Sequence, residues 1–235
     1  EKESCATALA GHRAAILFNS LLEEKHIYDT YCNLIMKEAD NGMNQVLVNR
    51  PVLEEYIRRQ YPGFKLISST TKRITGLDGL LEELNKDYFL VVLDYDLNHN
   101  EEVLSAIGKQ ADKVEILVNE ICYPGCPKRS EHYRQQSQMQ LEYDIDAAFP
   151  CPNKTRERKF EECKERPSFI SREQIREYAD RGFVNFKIVG RGMPMDFVKE
   201  SYLYYLVKDD SKAFIRNKME STLNQFAQAM RKRKA

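Results

Sequence analysis

No stretch of this 235-residue chain approaches the roughly 18 consecutive apolar residues that a membrane-crossing helix needs, so no membrane association is expected. The opening residues, EKESCATALAG, lack the basic start and apolar run of a secretion signal. Neither charge is in excess, with 36 Lys and Arg against 36 Asp and Glu. A broad nucleic-acid surface would need a basic surplus to displace counterions. The basic end RKRKA reads instead as a solvated helix terminus whose cations complement the helix dipole. No glycine-rich turn follows any candidate strand, which withholds support from a dinucleotide-binding fold. Also missing are a His-Glu-x-x-His motif, a Gly-x-Ser-x-Gly elbow and the paired Cys-x-x-Cys knuckles of a zinc ribbon. The first residue is Glu rather than Met, so the chain is expected to be processed, cut or a fragment.

What is present is an ordinary globular composition, 42% apolar and 31% charged, in a chain long enough for a single domain spanning 1–235. Short β-branched runs recur at residues 14–18, 46–48, 65–67, 89–93, 114–118 and 186–189. Each ends in a polar residue, as buried parallel strands do. Amphipathic helices lie between them. Tyr28, Tyr31, Cys32, Ile35 and Ala39 share one face, Pro51 opens a second helix, and Ser171 with Gln174 reads as a capping box. A last helix, over 210–235, carries Ile215, Met219, Leu223, Phe226 and Met230 on one side and is expected to pack across the barrel or its bottom. Strand–helix alternation at roughly 20 to 30 residues per unit predicts an α/β fold, a parallel (β/α) TIM-type barrel. Six strands are visible where eight would close it, so the barrel is expected to be incomplete at its N-terminus. Barrel chemistry sits at the C-terminal ends of strands. Those ends carry Asn19, Asn49, Ser69, Asp94, Asn119, Glu120, Lys187 and Arg191.

One interval breaks the rhythm. The chain runs about 70 residues from Asn119 to Gly190, and an insertion over 120–170 holds Cys122, Cys126, Cys151 and Cys163. Pro124-Gly125 is a turn signal that lets Cys122 and Cys126 face one centre, and Cys151 sits in the stiff Pro150-Cys151-Pro152. With no secretion signal, metal or redox roles gain over disulfides. An iron–sulfur cluster, zinc (with His132 as a further ligand) and unliganded thiols all stay open. Cys163 and, alternatively, Cys32 are candidates for a fourth ligand. Each also reads as a small apolar side chain on a helix face.

The segment Asn119-Glu120-x-Cys122-x-x-x-Cys126-Pro127-x-Arg129-x-x-His132-Tyr133 resembles the collagenase-like peptidase superfamily. So does Gly182-Phe183-x-x-Phe186-Lys187-Ile188-x-Gly190-Arg191, with Val189 where that family commonly has an acidic residue. Its relatives include oxygen-independent ubiquinone-hydroxylation and RNA-hydroxylation proteins. The resemblance implies a barrel with a 4Fe-4S cluster held by four cysteines; Cys122, Cys126 and Cys151 match by position, with Cys163 or alternatively Cys32 as the fourth. It also implies an oxidoreductase of hydroxylation type, with a peptidase or a non-catalytic subunit bearing a structural cluster as alternatives.

Glu120, Arg129, His132, Lys187 and Arg191 are the candidate catalytic residues: Arg129 and His132 to hold an anion or move a proton, Lys187 to pair with Glu120. Asp94 and Asp96 are expected to cap the following helix rather than bind a cation, and Lys72-Arg73 to be a solvated surface pair. A small molecule or an RNA base is the expected substrate, a second barrel subunit a possible partner, and the cytoplasm the expected setting.

Overall fold

The computed structural model describes residues 20–142, 149–151, 158–190 and 192–234. Among these residues five strands form one parallel sheet: β1 (Gln45–Val48), β2 (Lys65–Ser68), β3 (Leu90–Val92), β4 (Val114–Leu117) and β5 (Asn185–Lys187). Each strand pairs only with its neighbours in sequence, Val46 beside Leu66, Ile67 beside Leu90, Val91 beside Val114 and Ile116 beside Phe186. The candidate strand at 14–18 lies outside the described residues.

This order never reverses. Because parallel crossovers are right-handed, an unreversed order puts the connecting helices on one face of the sheet. The burial pattern agrees. Val46, Val48, Leu66, Val91, Leu93, Val114, Ile116 and Val118 pack in one cluster with residues from the helices. The alternate residues Leu47, Ile67, Leu90, Val92 and Leu117 form a separate cluster on the other face. The helices are α1 (Thr30–Ala39), α2 (Pro51–Gln60), α3 (Leu77–Leu84) and α4 (Glu101–Ile107), with α5 (Arg129–Glu142), α6 (Phe160–Lys164) and α7 (Arg172–Asp180) between β4 and β5. After β5 come α8 (Met195–Leu206) and α9 (Lys212–Lys234).

Local chemistry sets these boundaries. Pro51 occupies the first turn of α2, where its missing N–H costs nothing. The Ser171 side chain accepts from the Gln174 N–H while Gln174 accepts from the Ser171 N–H, closing the capping box of α7. Gly182, at φ +96°, takes the left-handed step that ends α7 and leads into β5.

Two helices differ from the sequence expectation. In α1 only Ala39 is buried, and Tyr28, Tyr31 and Ile35 are exposed. The final helix meets α8 at its beginning, where Lys199 pairs with Glu220 and Arg216 with Glu200. Phe226 and Met230 further along it are exposed rather than packed across the sheet. A shared apolar face reports that a partner is wanted, not where one lies.

Candidate functional site

The connections leaving β2, β3 and β4 meet in a group of charges. Arg73 Nη1 lies 3.0 Å from Asp94 and 3.3 Å from Asp96. Arg129, the first residue of α5, approaches Asp94 to 3.3 Å and also pairs with Asp96. Its guanidinium lies 3.9 Å over the Tyr95 ring. Arg129 is 1% exposed and Asp94 2%, so each charge needs the others to offset its lost hydration. Arg73 is held at φ +60°, in the left-handed region that a long side chain seldom adopts. Asp94 also caps the turn that follows β3 by accepting from the Asp96 N–H at 3.0 Å. The expected solvated pair at Lys72 and Arg73 is thus overturned. Arg73 serves this group, and Lys72 donates to Glu83, itself 3% exposed.

The cysteine turn rests on that group. Gly125, at φ +67°, donates its N–H to Asp96 Oδ1 at 2.9 Å. Glu120 accepts from the Cys122 N–H at 3.0 Å. Arg166 Nε donates to the Ile121 carbonyl at 2.9 Å, and its guanidinium stacks 3.8 Å over Tyr123. The Cys126 N–H closes the turn onto Tyr123 O at 3.3 Å.

Below the turn, acidic groups crowd together. Burial pushes the Cys122 thiol up to about 12; the Tyr95 hydroxyl pulls against this, while the Glu120 carboxylate and the Cys126 and Cys151 sulfurs push the same way. Burial likewise raises the Glu120 carboxyl, opposed by the Cys122 and Ile121 N–H groups and reinforced by Asp94. It raises the Tyr133 phenol, which feels both Glu120 and Cys122. The Tyr95 hydroxyl is buried and makes no hydrogen bond of ordinary geometry, although Tyr133, Glu120 and Cys122 all lie close enough to act on it. Two phenols, a carboxyl and a thiol therefore lie close together, each biased toward its protonated form.

The other sequence candidates scatter around this centre. Cys151 is close enough to influence Cys122, and its N–H bonds to Phe149 O at 2.8 Å. His132 stacks on Phe149 with ring centroids 4.5 Å apart. Cys163 is fully buried among Ile121, Phe160 and Phe197, and its thiol donates to Phe160 O at 2.9 Å. Cys32 is exposed on α1. The neighbouring Asn33 accepts from Tyr61, which follows α2 at the edge where strands begin. Lys187 pairs with Glu115 at 2.8 Å, not with Glu120. The register explains this: residues 115 and 187 alternate onto the same inner face, and β5 runs beside β4. Arg191 lies outside the described residues.

Asn119 is structural. It donates to Val189 O at 3.0 Å and to Ser201 Oγ at 3.1 Å, and accepts from the Val189 N–H at 2.6 Å. The sequence reading gives Tyr95 and Tyr133 no role, yet the fold brings both phenols beside Glu120 and Cys122. The available signal was their position, Tyr95 directly after a strand-end Asp and Tyr133 beside His132.

Thiols are the donors that iron–sulfur clusters and structural zinc favour. Among the described residues, however, no three His, Cys, Asp or Glu side chains are arranged to hold a metal ion. The Cys126 and Cys151 sulfurs are both close enough to Cys122 to act on its thiol. Among the described residues no helix is long and apolar enough to cross a membrane.

The chain is similar to a protein of Methanocaldococcus jannaschii named as an uncharacterized protease, with 27% identity over 184 residues. The match takes in 75% of this chain and 54% of that protein, so the chain spans about half the length of the curated relative it matches. No family model matches the chain, and no solved structure matches it.

Proposed function

We propose that this chain carries the catalytic rim of a peptide-bond hydrolase of the collagenase-like peptidase superfamily, built on a (β/α) barrel. One observation carries the reading: Glu120, Tyr95, Tyr133 and Cys122 converge at the C-terminal ends of β3 and β4, where barrel enzymes keep their chemistry. The unreversed strand order supports the barrel. The protease-named relative supports the reaction class. Free thiols among the described residues support a cytoplasmic setting.

In this reading Glu120 is the general base and then the general acid. Its carboxylate takes a proton from water as the oxygen attacks the peptide carbonyl; the C–N bond then breaks, and the proton passes to the departing amine. A raised carboxyl pKa suits both duties. The Tyr95 and Tyr133 hydroxyls, held neutral by burial, donate to the oxygen that gains charge. The thiol of Cys122 is not the nucleophile, because a group pushed up to about 12 is almost wholly protonated at neutral pH.

Casein and gelatin cleavage by the purified full chain tests this. Glu120→Gln is expected to lower the rate by about a hundredfold or more, and Tyr95→Phe by a comparable factor. A Glu120→Gln protein that cleaves as well as the parent refutes the assignment.

A second reading keeps the same rim. The neighbouring Cys122, Cys126 and Cys151 sulfurs favour a 4Fe-4S cluster, with oxygen-independent hydroxylation of a small molecule or an RNA base as the reaction and a second barrel protein as partner. When bound, such a cluster would supply electron transfer. Iron and acid-labile sulfide assays on anaerobically purified protein decide it; absence of both removes this reading.

A further inference from the structure

The geometry points to Asp96 as a positioning residue: its carboxylate, fixed by Arg129 and Arg73, holds the Cys122–Cys126 turn over the ends of β3 and β4. This rests on the reading of that rim as the site and adds what keeps the rim in shape.

The two carboxylate oxygens divide the work. Oδ1 accepts the Gly125 N–H at 2.9 Å, at the apex of the turn. Oδ2 takes Arg129 and, at 3.3 Å, Arg73. Asp96 therefore has little freedom to rotate, because both faces of its carboxylate are engaged by groups from different strand connections. Arg129 is pinned in turn by Asp94 and by the Tyr95 ring. Arg73 reaches the group from a left-handed backbone, a conformation that persists only where surroundings enforce it.

The consequence is a turn arranged by protein charges before anything binds between its sulfurs. Gly125 is an exposed residue of the turn, and its φ of +67° is one that other residues resist. An N–H in such a place would ordinarily face water; here it is tied to a carboxylate that two arginines hold still.

Alkylation with iodoacetamide, mapped by peptide mass spectrometry, tests this without any need for activity. The chain supplies its own references. Cys32 is exposed and reports intrinsic reactivity, and Cys163 is buried and reports global unfolding. In Asp96→Ala the alkylation rates of Cys122 and Cys126 are expected to rise tenfold or more, with Cys32 and Cys163 unchanged. Asp96→Asn, which keeps an acceptor for Gly125 but loses the charge facing Arg129, should fall between. Unchanged Cys122 and Cys126 rates in a folded Asp96→Ala protein overturn the inference. If Cys163 also becomes reactive, that variant has unfolded, and the parent protein decides. Slow hydrogen exchange at the Gly125 amide supports the tether; exchange as fast as in an unstructured peptide overturns it. Failure of casein cleavage alongside the expected alkylation pattern would remove the hydrolase and leave the positioning role intact.

Discussion

His132 and Phe149 lie face to face, with ring centroids 4.5 Å apart and planes 7° from parallel. Phe149 O accepts the Cys151 N–H, so the stack on α5 also fixes the second cysteine-bearing turn near the first. Burial, and then the charge of Arg158, lower the His132 pKa. The folded protein thus favours neutral imidazole.

The sign of the pH effect follows. Below about pH 6.5 the unfolded chain takes up a proton that folded His132 resists, so stability falls as the solution is acidified. Urea unfolding at pH 5 and pH 7 should show this difference. His132→Phe should remove the His132 share of it while keeping the stack, whereas His132→Ala should cost about 1 kcal/mol at pH 7.

Glu83 carries a second pH dependence. Burial alone would raise its carboxyl, but hydrogen bonds from Lys72, Lys86 and Ser68 outweigh it and bring the pKa down to about 2. Its contribution is present above the ordinary value of 4.5 and is lost as pH falls toward 2. Glu83→Gln should lower stability at neutral pH by roughly 3 kcal/mol, because Lys72 keeps its charge in a buried place. Chemical denaturation of parent and variant at pH 7 and pH 3 should show the gap narrowing in acid.

Asn119→Ala removes three hydrogen bonds that join the end of β4 to Val189 and Ser201. The expected loss is about 2 kcal/mol or more, since buried partners are left unmet. Asn119→Asp should not rescue it, because a carboxylate cannot donate to the Val189 carbonyl. Thermal unfolding of both variants checks this.

Lys187 and Glu115 form an ion pair on the inner face of the sheet, with Glu115 2% exposed. Lys187→Met is expected to destabilise strongly, by about 3 kcal/mol, and the double change with Glu115→Leu to recover much of that. If the double variant is as unstable as the single one, Lys187 matters for packing rather than charge. An activity loss that survives recovered stability would assign Lys187 a part in the chemistry.

The strand pattern was legible for β1 to β4 because those strands are largely buried on both faces and read as apolar runs; β5, Asn-Phe-Lys, is half-buried throughout. Runs at 46–48, 65–67 and 114–118 fall on β1, β2 and β4, while Phe89, at the edge of its run, proves exposed. The cysteine turn was legible from Pro124-Gly125. The ion pairs were not. Arg73, Asp94, Asp96 and Arg129 come from three different strand connections, and nothing in their spacing says which cations find which carboxylates. Lys187 shows the same limit, since choosing Glu115 over Glu120 needs the register of β5 against β4.

The buried arginine–aspartate contacts that bind β2, β3 and β4 together lie where those strands finish. At the opposite edge the connections are tied by exposed pairs such as Arg58 with Asp87, and Val184 is 63% exposed. Circular permutation or peptide insertion should therefore be tolerated between the exposed Lys86 and Asp87 or Arg181 and Gly182, short of the buried Tyr88 and Phe183. The same cuts at Asp94–Leu97 or within the turn from Cys122 to Arg129 should be lethal to folding. That asymmetry makes the strand-start edge the place to graft a tag, a crosslinker or a fluorophore.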